Sequence, residues 1–359
     1  MNAPDLHVHS GYSTYDGFGG PEAVVDRAVE LGWGAVCLTE HGWLGSAPAL
    51  YKAAKKAGIK PIIGCELYVT PEDTLVDGDK DVLQERRHLT VLALSFEGYQ
   101  NLVAWANVSM QRPAYYNGPR ISLDRMAETA PHGLYHNVVL SGCLGGELCQ
   151  CLLHMNGGAD VAAKLYLESA KALFPNFYIE LQNHASAKYM NEGYSTYDRM
   201  VEEQTYVLDR LLDLSQTLDI PVIVTNDSHY QSQTQRRPHI AMMARKSFRK
   251  ASESHRDQAR ESTSKTFLDQ YAYWTQYMRP MEKIAATLPR WQRRRHLKAS
   301  TPLLTKLMYD SILSTTSPTA CQGLLTLILW TKSSDDQSLD SRILWHTMVP
   351  KRRIGSTTR

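Results

Sequence analysis

The chain has 359 residues and a formal net charge of +2 at pH 7, with 43% hydrophobic and 21% charged residues. Its six cysteines lack the dense, even spacing of a secreted disulfide framework. No apolar stretch approaches the roughly 18 residues of a membrane span, and no basic, apolar leader opens the chain. We therefore expect a cytoplasmic protein with free thiols and no membrane partner. The length suits one α/β barrel of roughly 250 residues with an appendage.

Charge is divided unevenly along the chain. Residues 1–230 hold 16 Lys and Arg against 28 Asp and Glu, whereas residues 231–359 hold 23 against 9. Glycine follows the same division, since 20 of the 22 glycines precede residue 231. We therefore predict two differently built segments, a barrel domain over residues 1–235 and a basic, Ser/Thr-rich segment over residues 236–359.

Short apolar runs alternate with helical patterns through the first segment. The predicted strands are rich in Val, Ile and Leu and cover residues 6–9, 35–39, 61–69, 89–95, 137–141, 177–181 and 221–225. The predicted helices cover residues 22–31, between Pro21 and Gly32, and then 46–57, 98–111, 159–173 and 197–218. Strands that alternate with helices indicate parallel pairing, and seven such units predict a closed barrel.

The second segment shows no comparable order. Prolines at 289 and 302 interrupt weak helical patterns, and Ser and Thr dominate from residue 311 onward. A basic run over residues 290–298 contains one Trp, so it could contact a nucleic-acid backbone. We favour the simpler interpretation of this run as a solvated basic stretch.

Residues able to bind metal follow one apolar run after another. His7 and His9 form a His-x-His pair, and side chains two apart on a strand point to the same face, so both imidazoles can bind one ion. Seven further candidates lie at the ends of the later predicted strands or in the loops beside them: Asp16, His41, Glu66, His88, Cys143, Asp227 and His229. In a parallel barrel these strand ends meet above the barrel mouth, so we predict that all nine side chains converge.

The ligand types indicate both the metal and the reaction. Imidazole, carboxylate and one thiolate suit Zn²⁺, Mn²⁺ or Fe²⁺ better than Mg²⁺ or Ca²⁺. Nine ligands, at about three or four for each ion, would hold two or three ions. Closely spaced ions can activate a water and hold both oxygens of a phosphoryl transfer, so the sequence predicts phosphoester hydrolysis. No glycine cluster is followed by the Lys-Ser/Thr of a nucleotide-binding loop, which argues against a nucleoside triphosphatase.

The remaining histidines carry weaker signals, because a single His on a strand is more often structural than a ligand. We interpret His184, which follows the predicted strand 177–181, as a supporting or substrate-facing residue. The others are interpreted as surface residues: His132, His136, His154, His239, His255, His296 and His346.

Taken together, the motifs resemble the polymerase and histidinol phosphatase (PHP) superfamily, and within it the amino-terminal domain of the alpha subunit of bacterial DNA polymerase III. The similarity spans about residues 5 to 230, with six separated motifs in the family's order. These motifs are Leu6–Ser13, Asp16-Gly17, Leu38–Gly42, Ala57–Glu66, Ser141–Cys143 and Asn226–Tyr230.

This resemblance implies a distorted seven-stranded barrel that holds up to three Zn²⁺ or Mn²⁺ ions. The implied ligand sets are His7, His9, Glu66 and Asp227 for one ion, Glu66, His88 and Cys143 for a second, and Asp16, His41 and His229 for a third. Family members that keep all nine positions, as this chain does, can act as 3′→5′ exonucleases. We therefore predict catalytic roles for Asp227, His9 and Glu66.

Three functional hypotheses follow from these observations. The first is a metal-dependent phosphoesterase that acts on single-stranded or frayed DNA 3′ ends. The second is a phosphatase of a small phosphate monoester such as histidinol phosphate. The third is a non-catalytic remnant that docks on other replication proteins.

The chain departs from the family pattern after residue 230. The family's polymerase palm is not found, and Asp335, Asp336 and Asp340 lie in a Ser-rich context without the expected apolar strands, so DNA synthesis by this chain alone is not expected. Loss of glycine and the reversal of charge are what a shifted reading frame would produce, and such a segment could be disordered. A separate basic DNA-binding appendage is the competing interpretation.

Overall fold

The computed structural model describes residues 3–70, 86–112, 114–115, 118–154, 158–248, 265, 269–271 and 273–288. The strands are β1 (Ala35–Leu38), β2 (Lys60–Val69), β3 (Arg87–Ala93), β4 (Asn137–Leu140), β5 (Phe177–Leu181) and β6 (Val222–Val224). The helices are α1 (Pro21–Glu30), α2 (Ala47–Ala57), α3 (Phe96–Ser109), α4 (Leu123–Thr129), α5 (Glu147–His154), α6 (Ala159–Leu173), α7 (Ser195–Leu218), α8 (Arg236–Phe248) and α9 (Met281–Ala285).

Local sequence signals explain many of the helix ends. Pro21 occupies the first turn of α1, where its missing N–H costs no hydrogen bond. Ser95 and Ser122 cap α3 and α4, because each hydroxyl accepts a hydrogen bond from a backbone N–H in the first turn. Helix α2 ends at Gly58, whose φ of 72° is the left-handed conformation that favours glycine.

The six strands form one sheet in the order β1-β2-β3-β4-β5-β6. The pairs β1–β2, β4–β5 and β5–β6 are parallel, but β3 is antiparallel to both of its neighbours. The prediction of parallel pairing throughout is therefore wrong for β3. A parallel connection needs a crossover, usually a helix, and the sequence indicates no helix between the third and fourth apolar runs, which became β2 and β3.

The predicted first strand, residues 6–9, is reduced to a single parallel bridge between Val8 and Ser228. This segment nevertheless joins the two edges of the sheet. Thr39, directly after β1, donates its backbone N–H to the carbonyl of Val8 at 2.8 Å. On the other side, the N–H of His9 reaches the carbonyl of Ser228 at 2.8 Å, and the N–H of Ser228 reaches that of His7 at 2.9 Å. The sheet therefore curls into the distorted α/β barrel that the sequence predicts.

Two apolar cores follow from the alternation of side chains along the strands. The inner core draws on the segment before β1 and on five strands, with Tyr178 of β5 packed partly buried against it, and its buried members are Leu6, Ala35, Cys37, Ile62, Leu92, Val138, Leu140 and Ile223. The alternate residues, such as Val36, Val139 and Ile179, pack in the larger cluster that includes the helices. A filled interior of this kind closes one end of the barrel and leaves the ligands at the other end.

Part of the basic segment also packs against the barrel. Helix α8 follows residue 235, and Met278, Met281 and Ile284 are 0%, 5% and 0% exposed. The N–H of Met278 donates to the carbonyl of Tyr230 at 3.0 Å. The prediction that this segment lacks order is thus corrected for residues 236–248 and 273–288, because packing continues past residue 235. Residues 289–359, which include the basic run, lie outside the described residues, so the predictions made for them stay predictions.

Two further features bear on the class of protein. The five cysteines of the described residues carry free thiols: Cys37, Cys65, Cys143, Cys149 and Cys151. Every helix in the described ranges is too short or too polar to span a membrane.

Replacing Leu92 tests the inner core. Leu92 is fully buried, so Leu92→Ala should lower the free energy of unfolding by about 2–5 kcal/mol through lost apolar contacts and a residual cavity. Urea denaturation followed by circular dichroism measures this loss. Leu165→Ala, at a side chain that is 60% exposed on α6, is the matched control and should change the free energy by less than about 0.5 kcal/mol. Equal losses in the two variants would contradict the filled interior.

Candidate metal centre

The nine predicted ligands lie together at one end of the barrel, at or beyond the carboxyl ends of most strands. Two ligands differ, since Glu66 lies within β2 and His88 stands at the amino end of β3. Because β3 runs antiparallel to its neighbours, its amino end lies at the same edge as their carboxyl ends. The reversal of β3 therefore brings His88 to the other ligands.

Four ligands meet deep in the barrel. The Nε2 atoms of His7 and His9 lie 3.3 and 3.4 Å from the carboxylate oxygens of Glu66. The same two nitrogens lie 3.2 and 3.3 Å from Oδ1 of Asp227. Asp227 has a φ of 45°, a left-handed conformation that Asp adopts more readily than most residues. Such strain at a functional site is held by the surrounding structure.

The other ligands extend this cluster toward solvent. His88 Nδ1 lies 2.9 Å from Oε1 of Glu66 and 3.3 Å from the sulfur of Cys143. On the other side, His41 Nδ1 lies 2.6 Å from Oε2 of Glu66. The side chain of Glu66 is 1% exposed, whereas that of His88 is 25% exposed, so the centre opens at its outer edge.

Asp16 completes the outer edge of the centre. One of its carboxylate oxygens lies 2.8 Å from Nε2 of His41, and the other lies 3.6 Å from Nε2 of His229. The side chain of Asp16 is 28% exposed. Asp16 and His88 therefore flank the mouth through which a substrate would enter.

The structure gathers all nine side chains but does not divide them into the three implied sets. Three groups have donor atoms that all lie within 4.8 Å of one another: His7 with His9 and Glu66, His41 with Glu66 and His88, and His9 with His41 and His229. The first belongs wholly to one implied set, whereas the other two mix members of different sets. The assignment of ligands to individual ions thus stays a prediction.

A bound metal ion explains the arrangement of the donor atoms better than hydrogen bonds among the side chains do. His41 Nδ1, Glu66 Oε2 and Asp227 Oδ1 are buried and have no hydrogen-bond partner among the described residues, although ring nitrogens and carboxylates lie close by. A buried polar atom without a hydrogen bond is costly, and a cation is the usual partner for several such atoms. This mixture of imidazole, carboxylate and thiol is suited to divalent ions such as Zn²⁺ or Mn²⁺.

A buried polar layer below the centre orients His7. Its Nδ1 lies 2.7 Å from Oε1 of Glu180 and 3.0 Å from Oγ1 of Thr90. Gln182 and Thr225 donate further hydrogen bonds to the Glu180 carboxylate. A carboxylate that accepts the N–H of a metal-binding histidine fixes the tautomer and leaves the other ring nitrogen free for an ion.

His9 and His229 are oriented in the same manner by different groups. His9 Nδ1 lies 3.0 Å from Oγ of Ser13, whose hydroxyl donates to Glu40 at 2.5 Å. His229 Nδ1 donates to the backbone carbonyl of Asp227 at 2.8 Å. In both residues Nε2 is left to face the centre.

Electrostatics keeps the central carboxylates charged. Burial alone would raise the pKa of Glu66, but His88, His41 and His7 together hold that pKa well below its usual range. Burial, together with His41 and His229, lowers the pKa of His9 to about 3, so this imidazole is neutral at pH 7 and has a free electron pair.

Cys143 shows the opposite shift. Burial, reinforced by Glu66 and Asp227, raises the pKa of the Cys143 thiol well above its usual range. Because a metal binds the thiolate, coordination by Cys143 requires a cation charge large enough to displace this proton.

Two other histidines lie close to the centre. His184 is 2% exposed, and its Nε2 donates to the carbonyl of Asn226 at 2.7 Å, which favours a supporting role over the predicted substrate contact. His239 was predicted to be a surface residue, and this prediction is wrong. It is 4% exposed, and its Nε2 donates to the carbonyl of Asp16 at 2.6 Å. Its position on α8, within the basic segment, gave no sequence signal for burial.

Sequence reasoning also missed the residues that support the ligands. Two of them could have been found from the sequence. Glu180 is a lone carboxylate in an apolar run, and Glu40 directly precedes the predicted ligand His41. Gln276 carried no such signal. Its Nε2 donates to Oδ2 of Asp227 at 3.0 Å, and its backbone carbonyl accepts from the N–H of His229 at 2.9 Å. Gln276 thus leaves Oδ1 of Asp227 directed at the two deep histidines.

Comparisons with known proteins identify relatives of this chain. A family model described as the PHP domain matches residues 5–184. The chain is 35% identical over 235 residues to DNA polymerase III subunit alpha of Treponema pallidum (strain Nichols), which is 65% of this chain and 18% of that protein. It is also 35% identical over 226 residues to DNA polymerase III subunit alpha of Borreliella burgdorferi. That alignment covers 63% of this chain and 18% of that protein. The chain thus spans less than a fifth of the length of these relatives.

One solved structure also aligns with part of this chain. An amidohydrolase from Chromobacterium violaceum aligns with a TM-score of 0.40 and 13% sequence identity, covering 63% of this chain and 87% of that one.

Removing the amide of Gln276 should weaken metal binding at the centre. Gln276→Leu keeps a side chain of similar size but frees Oδ2 of Asp227, so we expect affinity for Zn²⁺ to fall by about 10-fold, as for other residues that orient metal ligands. Competition with a chromophoric chelator measures the affinity. Gln233→Leu, at an exposed position, is the control and should bind Zn²⁺ like the wild type. Unchanged affinity in Gln276→Leu would show that Asp227 is held without this contact.

Proposed function

The chain belongs to the PHP domain family, and we propose that it is a metal-dependent phosphoesterase that removes nucleotides from DNA 3′ ends. The proposal includes the metal-ligand roles of the nine predicted residues and catalytic roles for Asp227, His9 and Glu66. It also includes two or three divalent ions, Zn²⁺ or Mn²⁺, as cofactors.

One observation carries this proposal. Glu66 lies within 3.4 Å of ring nitrogens from four histidines, with carboxylates and a thiol close around them. A shared carboxylate at the centre of several imidazoles is suited to bridging neighbouring ions. Closely spaced divalent ions, when bound, neutralise the phosphate and activate the attacking water, which is the chemistry of phosphoester hydrolysis.

The protein's own residues provide the positioning that this chemistry needs. The Glu180 carboxylate orients His7, the Ser13 and Glu40 pair orients His9, and Gln276 orients Asp227. These supports are themselves buried or partly buried, so they hold the ligands in one arrangement before substrate arrives. A site fixed in this way avoids reorganisation during the reaction.

DNA is proposed as the substrate because the relatives are subunits of a DNA polymerase. In this role the chain would act in the cytoplasm, on single-stranded or frayed 3′ ends, in contact with other replication proteins. The acidic character of residues 1–230 opposes DNA binding, and the ions would offset part of that repulsion.

Digestion of a 5′-labelled single-stranded DNA tests the nuclease directly. With Mn²⁺ or Zn²⁺ present, we expect a ladder that shortens from the 3′ end. Asp227→Asn and His9→Ala should reduce cleavage below detection, because each removes a charge or donor atom from the deep part of the centre. Asp219→Asn is a matched control, since Asp219 is exposed and also has a positive φ, and it should cleave normally.

The same assay separates the competing functions. Release of free phosphate from histidinol phosphate without DNA cleavage would replace the nuclease with a small-molecule phosphatase. If metal-replete wild-type protein acts on neither substrate, the non-catalytic remnant is favoured. A folded, metal-loaded His9→Ala protein with full activity would refute the assignment of His9.

Metal removal should destabilise the fold. Glu66, Asp16 and Asp227 concentrate negative charge in a buried space, and an ion that binds only the folded state stabilises it by about 2.7 kcal/mol at a concentration of 100 times Kd. We expect dialysis against a chelator to lower Tm and Zn²⁺ to restore it. The increase should shrink in Asp227→Asn and persist in Asp219→Asn. If Tm does not change when the chelator removes metal, metal binding in the barrel would be contradicted.

A further inference from the structure

Two aromatic side chains stand exposed beside the metal centre. Tyr12 and Trp43 are 36% and 40% exposed, and their ring centroids are 5.8 Å apart at an interplanar angle of 35°. Tyr12 lies three residues after His9, and Trp43 lies two residues after His41. The other exposed large apolar side chains of the described residues all lie more than three positions from any of the nine ligands.

The position of the Trp43 ring is fixed by two contacts. Its Nε1–H donates to the backbone carbonyl of Tyr12 at 3.1 Å. A Cβ at residue 45 would approach the Trp43 ring within 2.4 Å, so Gly45 lets the ring lie against the backbone. The ring is therefore held in place without a ligand, which reduces the entropy that binding must overcome.

The loop that carries Tyr12 is tied to the same region. The hydroxyls of Ser10 and Ser13 both donate to the carboxylate of Glu40, which directly precedes His41. The two aromatic residues thus belong to loops that share one buried anchor. Movement of the Tyr12 loop away from the centre would have to break these hydrogen bonds.

Short stretches of chain connect both aromatic residues to ligands of the centre. Two residues span at most about 7 Å, so the backbone of Trp43 lies close to that of His41. His41 contacts Asp16, whose side chain is 28% exposed at the mouth. On the other side, Oγ of Ser13, the residue after Tyr12, lies 3.0 Å from Nδ1 of His9, so both aromatic residues adjoin ligands of the centre.

The charge of the barrel favours an uncharged contact with the substrate. Residues 1–230 carry 28 acidic against 16 basic side chains, so the barrel repels a phosphate backbone. Stacking on aromatic rings needs no positive charge and accepts every base, because each base has an apolar face. A pair of exposed rings beside a phosphate-binding centre provides this contact.

From this arrangement we infer that Tyr12 and Trp43 bind the base of the terminal nucleotide whose phosphate lies at the metal centre. This inference rests on the proposed function and narrows its substrate class. The substrate is a nucleic-acid strand that ends in a base, and not a phosphate ester that lacks one.

The test compares two 5′-labelled single strands with hydrolysis-resistant terminal linkages, one with a normal 3′ nucleotide and one with an abasic 3′ nucleotide. Fluorescence anisotropy with Mn²⁺ present gives the two dissociation constants. Wild-type protein should bind the normal strand roughly 5- to 30-fold more tightly, the size of one stacking contact. Because stacking is uncharged, this ratio should stay the same between low and high salt.

The variants locate the contact. Trp43→Ala and Tyr12→Ala should reduce the ratio toward one while leaving affinity for the abasic strand unchanged. Tyr206→Ala, at a side chain that is 47% exposed on α7, is the control and should keep the full ratio. A ratio near one in wild type, absence of binding to either strand, or an undiminished ratio in Trp43→Ala would overturn the inference.

A second arm with hydrolysable linkages separates this inference from the nuclease. Tighter binding of the normal strand than of the abasic strand, without any cleavage, would support the stacking site and refute the nuclease. Equal cleavage rates on normal and abasic ends would support the nuclease and refute the stacking site.

Discussion

A buried carboxylate, Glu66, with histidine ring nitrogens on all sides of it is the constraint around which this fold is organised. A charge taken out of water must be compensated, and in this barrel four imidazoles from three separate stretches of chain lie within 3.4 Å of it. Those imidazoles can meet only if the sheet curls and its edges are joined. The backbone hydrogen bonds of residues 7–9 and the reversed direction of β3 are therefore conditions for the centre as well as features of the sheet.

The barrel interior changes character along its axis. Apolar residues from every strand fill one end, a layer of hydrogen-bonded polar side chains follows, and the ligands occupy the open end. The middle layer separates the two. It gives His7 a fixed partner in Glu180. His7, His9 and Asp227 thus each have an anchor outside the centre, and these anchors come from different elements of the fold.

Sequence patterns predicted much of this arrangement, because the decisive signals were local. The His7-x-His9 spacing, the runs that became six strands and the placement of ligands at strand ends can all be found within short windows. The antiparallel direction of β3 could not be found in that way, since strand direction depends on pairing between distant residues. The same holds for the supporting contacts: Gln276 and Asp227 are far apart in sequence, and neither position alone indicates that they meet. His239 was misplaced because its helix lies in a basic segment whose composition suggests exposure.

The contact between Gln276 and Asp227 also bears on the order in which the molecule can be assembled. His7 leaves the ribosome long before Gln276, yet both contact the same carboxylate. Long-range pairings of this kind form late, because the intervening chain must be ordered before they stabilise it. During synthesis, the partly made chain therefore contains His7 and His9 before Gln276 can orient Asp227 beside them. The geometry of the deep part of the centre is thus complete only when residues on both sides of the barrel sequence have been made.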